Sequence, residues 1–332
     1  MTELIITNGD KAADLLRAAG FEADILPWRD VLHEGPVSET SLASLDDLEH
    51  LSVIRAAFLA AAFDQSLGKI TQSFEERDRM VSRHGDYDEV TLWFEHDLYD
   101  QLQLLQILTF FHREKRSGSL QLVQVDNYLG RQTPETIRRF EARKAPVSAE
   151  QTALAATLFQ AFRKPVPTDL RAFLEQDLSP LPAMRQALFR LFEELPSTTN
   201  GLSRTQQQAL LSIERDRLPP GKLFAAVQAT EEAMFMGDIS FFHCLDELSF
   251  NRTPLIRGLP ARFSASLAKD ERQRYLDAEI VLTDTGRAVL SGKADYIGIN
   301  SIDRWLGGTH IEDGMIWRWN PDTGELVSPT PQ

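Results

Sequence analysis

The sequence predicts an α/β protein: a three-layer, Rossmann-like parallel-sheet domain, then a helical middle, then a winged-helix-like α+β domain. Three observations carry this. Short apolar runs alternate with helix-spaced segments over residues 1–130, residues 131–198 are helical and broken by prolines, and residues 199–332 pass from helices to short strands. Strand–helix–strand alternation is the pattern of a parallel sheet with crossover helices. Two or three domains suit 332 residues at roughly 100–200 residues each.

The first strand is ELIIT, residues 3–7, and it ends in Asn8-Gly9-Asp10. KAADLLRAAG follows with apolar residues at helical spacing and Gly20 as its stop. Residues 23–28, ADILPW, form a second strand, and the loop RDVLHEGPV is broken at Gly35-Pro36. Helices are expected over about 43–64 and 70–83. A third strand is expected from Asp88 to Phe94, a helix from Leu98 to Phe111, and a fourth strand from Leu120 to Val125. In the middle region Thr133 precedes Pro134 as a helix cap, and Ser148 with Gln151 makes a capping-box pattern. Beyond residue 202, helices are expected over 204–213, 222–236 and 239–248, and a short strand over 254–257. A strand over 279–283 then leads into a capped helix, and a closing hairpin or loop spans Trp305 to Asp322.

Bulk composition narrows the classes. No apolar run approaches the ~20 residues that span a bilayer, and MTELIITNGD lacks the parts of a signal peptide. The single Cys244 excludes an internal disulfide and a cysteine-built zinc site. A cytoplasmic protein without membrane contact is expected. The net charge of −14 is concentrated early, with 23 Asp/Glu against 11 Lys/Arg in residues 1–130. Such a surface repels nucleic acid, whose non-specific binding relies on Lys/Arg. Arg287, Lys293, Arg304 and Arg318 leave nucleic-acid contact open for the C-terminal region, but its net acidity does not favour it.

Ligands of open parallel sheets bind beyond the carboxyl ends of the strands. Asp10, Asp97 and Asp126 follow three of the expected strands and make a candidate metal set, which suits an oxygen-loving divalent cation such as magnesium. Glu95, His96 and His33 are the candidate acid–base groups, since imidazole titrates near neutral pH. Asn8, Gly9, Arg29 and Asp100 are the candidate ligand-binding residues. A glycine before a helix lets amides approach an anion, and Arg29 can clamp a phosphate or carboxylate. Each acid also has a plainer role, Asp97 as a helix cap above all. No Ser or Cys sits in a nucleophile-elbow context, which disfavours a hydrolytic triad.

Four stretches taken together, Ile5 with Thr7-Asn8-Gly9-Asp10, LPWRDVLHEGP (26–36), LWFEHDLYDQLQLL (92–105) and IDRWLGG (302–308), resemble the bacterial family catalogued as domain of unknown function 1835. The first three lie in the N-terminal 130 residues, and the fourth resembles the tail of its longer members. The resemblance implies a long bacterial member and carries over no catalytic residue. From the residues themselves, two functions compete, beside a purely structural interaction protein whose motif acids are helix caps. One is a site that binds or processes a phosphorylated small molecule or nucleotide with a divalent metal. The other is a regulator whose α/β domain senses a ligand while its winged helix contacts DNA or a protein.

Overall fold

The computed structural model describes residues 2–37, 48–114, 116 and 118–329. It is a mixed α/β protein with a five-stranded, mostly parallel sheet and many helices. The chain runs β1 (Glu3–Thr7), α1 (Asp10–Ala18), β2 (Asp24–Pro27), α2 (Leu48–Ala62), α3 (Leu67–Ser82), β3 (Glu89–Phe94), α4 (Leu98–Arg113) and β4 (Ser119–Gln124). After these come α5 (Pro134–Ile137), β5 (Ala145–Pro146) and α6 (Ala149–Phe162). The strand order is β2-β1-β3-β4-β5. The first four strands are parallel, and β5, which the sequence pattern does not announce, lies antiparallel to β4.

Alternation along the strands divides the two faces. Ile5, Ile25, Trp93 and Val123 pack with Ala12, Ala13 and Leu16 of α1. The residues between them, Leu4, Ile6, Leu92 and Leu122, are buried too, so both faces are covered, as parallel sheets require. Helix α4 packs against α6 and is buried nearly all round, which accounts for its lack of a polar face. From β1 the chain moves outward to β2, returns to β3 and continues outward to β4. The winding therefore reverses between β1 and β3.

Contacts divide the chain into two units. The first is Met1–Ala61, Ser66–Leu188 and Gly307–Thr309; the second is Ala62–Gln65, Phe189–Leu306 and His310–Gln332. Much of the helical middle thus groups with the sheet. Its two expected caps form, Thr133 accepting from the Thr136 amide and Ser148 from the Gln151 amide. Gly307 and Gly308 of the IDRWLGG stretch are built into the first unit. The Gly308 amide donates to the Phe162 carbonyl at 2.9 Å, and a Cβ on Gly308 would fall 1.9 Å from the Arg163 carbonyl oxygen. Only glycine permits that approach.

The second unit contains helices Arg204–Asp216, Pro220–Gln228 and Asp238–Phe250, and Ile256–Arg257 pairs with Val281–Leu282. Thr283 caps the helix Asp284–Leu290. The helix expected to reach residue 236 ends at Gln228. Just beyond it Glu231 accepts two charge-assisted bonds from Arg190, at 2.8 and 2.9 Å, a tertiary pairing that overrides helix propensity. Helix Lys269–Leu276 is an addition to the expected elements. Of the helix expected over 43–64, residues 43–47 fall outside the described residues. Among the described residues, no helix is long and apolar enough to cross a membrane.

Candidate metal centre

The junction from β3 to α4 gathers Glu95, Asp97 and Asp100. One carboxylate oxygen from each lies within 4.8 Å of the others, and the residues are only 5%, 3% and 1% exposed. Local structure puts them there. Glu95 leaves the end of β3, Asp97 is the N-cap of α4, and Asp100 sits in its first turn, where its amide donates to Asp97 Oδ1 at 3.2 Å. Negative charge is favoured at such a helix start. Asn8, leaving the end of β1, donates its side-chain amide to both Glu95 Oε1 at 3.0 Å and Asp100 Oδ2 at 2.9 Å. The Leu129 amide donates to Glu95 Oε1 at 2.8 Å, and the Glu95 amide donates to Asp100 Oδ1 at 2.6 Å. Contributions therefore come from both sides of the β1/β3 reversal and from the segment after β4.

Burial dominates the electrostatics. It pushes the Glu95 carboxyl up to about 6, against the bonds from Leu129 and Asn8 that pull it down. It pushes Asp97 up to about 8, with the Glu95 charge adding to the effect, and raises Asp100 well above its ordinary range for the same reasons. Three carboxylates confined in low dielectric cannot all remain charged without compensation. Protons relieve the repulsion in one way and a cation in another. The set is all oxygen, and its span of up to 4.8 Å matches oxygens facing each other across an ion with bonds of about 2.3–2.6 Å.

The candidate residues are regrouped relative to their reading in sequence. Asp97 is in the cluster, but its partners are Glu95, expected as an acid–base group, and Asp100, expected as a ligand contact. Asp10 and Asp126 do not join a ligand group with Asp97 among the described residues. Both are exposed and ion-paired elsewhere, Asp10 with Arg29 at 2.7 Å and Asp126 with Arg143 at 2.6 Å. The reason is geometric: following a strand does not fix the direction of a side chain, and these two turn outward. Arg29 has a left-handed φ of 62° and also reaches Ser73 Oγ at 3.0 Å. Asn8 faces the acids with its side chain. Gly9 is extended at φ −170°, with room for a Cβ. His96 is half-buried beside the Tyr128 ring, with centroids 5.9 Å apart. The His33 side chain is buried, its ring edge-on to Tyr99 with centroids 6.1 Å apart.

Sequence reasoning missed the residues that hold the LPWRDVLHEGP loop in place. Buried Arg55 pairs with buried Asp30 at 2.9 Å and donates to the carbonyls of Glu34, Pro36 and Val31. Gln103 Nε2 donates to the Asp30 carbonyl at 2.7 Å, and Trp28 Nε1 donates to Gln106 Oε1 at 2.8 Å. A signal was available in Gln101, Gln103 and Gln106, polar residues placed on a helix that is otherwise largely apolar. A search of protein-family models and a search of curated proteins returned no match for the chain.

Proposed function

We propose that the sheet-bearing unit binds a phosphorylated small molecule or nucleotide, through a divalent cation held by Glu95, Asp97 and Asp100. The observation that carries this reading is the convergence of three buried carboxylates at the β1/β3 reversal. In a Rossmann-like, doubly wound sheet, ligands bind at this point. Bare carboxylates repel a phosphate, and a bound cation inverts that local charge. In this reading Gly9, the N-cap of α1, and Arg29, which follows β2, orient the anion, and the phosphate displaces Asp10 from Arg29. His96 carries the proton of any transfer, and His33 supports Tyr99 from behind. Membership of the resembled bacterial family and a cytoplasmic setting belong to the same proposal.

The test is equilibrium binding of ADP to metal-stripped protein, with and without added divalent cation. Binding is expected only with the cation, and Asp97→Asn is expected to abolish it. Loss of one charge-assisted contact in Arg29→Ala should weaken ADP about tenfold while leaving the cation bound. Equal ADP binding in chelator would sink the proposal.

The regulator reading, with a winged-helix-like second unit, has one observation to guide it. The third helix of that unit, Asp238–Phe250, contains no Lys or Arg. A recognition helix needs side chains that reach bases and cations that meet phosphates, so the partner favoured for this unit is a protein rather than DNA.

A further inference from the structure

Gln101 lies on α4 four residues after Asp97, which puts the two side chains on one face of the helix. Side chains on a helix lean back toward its N-terminus, and the Gln101 carboxamide does so: Nε2 donates to the Glu95 carbonyl at 2.6 Å. That places the amide in the junction that holds the carboxylates. Gln101 is fully buried, and its Oε1 has no hydrogen-bond partner among the described residues. Native proteins seldom leave a buried carbonyl oxygen unsatisfied, and each such case calls for an explanation. The Nε2 bond fixes which end of the amide is oxygen, so the orphan is not an interchange of the two atoms.

We propose that Gln101 Oε1 is a fourth oxygen ligand of the cation and that the site prefers calcium to magnesium. The proposal rests on the cation reading above. Three carboxylates and an amide carbonyl are hard oxygen donors without nitrogen or sulfur, a set typical of calcium. Calcium accepts six to eight oxygens in irregular arrangements, whereas magnesium demands near-octahedral geometry and retains several waters. Ligands no more than 5% exposed leave little access for several retained waters beside the phosphate. Gln101 thereby acquires a role that its helix position alone does not require.

The experiment is calorimetric titration of metal-stripped full-length protein with calcium chloride and, separately, magnesium chloride. The wild type, Gln101→Leu and Gln101→Glu are compared after thermal unfolding in chelator has established that each is folded. Calcium should bind the wild type at least about tenfold more tightly than magnesium, and Gln101→Leu should lose at least about tenfold in calcium affinity, one ligand contact. Gln101→Glu also lacks the amide that bonds the Glu95 carbonyl, but it keeps an oxygen and should bind calcium at least as tightly as the wild type. Wild-type calcium affinity in Gln101→Leu would overturn the assignment and leave the cation site standing. A loss in Gln101→Glu equal to that in Gln101→Leu would also overturn it, because the amide would then act only by positioning Glu95. Magnesium binding as tightly as calcium would overturn the selectivity. If the wild type bound neither ion, the cation reading itself would fall.

Discussion

Asn8 spends both of its side-chain N–H groups on carboxylates, Glu95 at 3.0 Å and Asp100 at 2.9 Å. Asn8→Ala should therefore leave two buried acceptors each short of a donor. A cost of about 1–3 kcal/mol is expected, measured by denaturant unfolding in chelator. The acids also make metal-free stability depend on pH. Their folded values lie above the unfolded ones, near 6 for Glu95 and 8 for Asp97, so the folded state holds protons that the unfolded state has released. Stability then falls as pH rises from about 4 to about 8. The melting temperature in chelator should drop across this window, and Asp97→Asn should flatten the part between pH 6 and 8. A melting temperature that rose over the same range would contradict the burial of these carboxyls.

Strands and long helices were legible in the sequence because their periodicity is local. The four parallel strands, α1 and α4 fall within a few residues of where apolar spacing puts them. What sequence could not supply was direction. Asp10, Asp97 and Asp126 look equivalent as acids after strands, yet only Asp97 turns inward, and Glu95 and Asp100 join it. That choice depends on the cap of α4 and on Asn8, which reaches across from another strand. Arg55 was invisible for a related reason, since its pairing with Asp30 joins α2 to a loop 25 residues away. Removing one partner of a buried ion pair typically costs about 3–5 kcal/mol. Arg55→Ala should destabilise by about that amount, and hydrogen exchange should rise in the 28–37 loop, whose carbonyls it binds. Full protection of that loop in the variant would show that Arg55 does not hold it.

At the scale of the molecule, net charge and unit structure separate the remaining functions. With −14 overall and no Lys or Arg on the helix Asp238–Phe250, the protein should not shift duplex DNA even at low salt, where phosphate contacts are strongest. A salt-sensitive shift would revive the DNA-binding alternative. The candidate site lies wholly within the first of the two units. Ligand stabilisation acts on the structure that binds the ligand, so cation-dependent protection from hydrogen exchange should centre on the β3–α4 junction.

The most direct measurement is calorimetric titration of calcium into metal-stripped wild-type protein and Asp97→Asn, both confirmed as folded in chelator. The account predicts one saturable site per chain in the wild type and its loss in the variant. Absence of binding to the wild type of calcium and, in a parallel titration, of magnesium, or equal binding to the variant, would contradict a cation centre built on Glu95, Asp97 and Asp100.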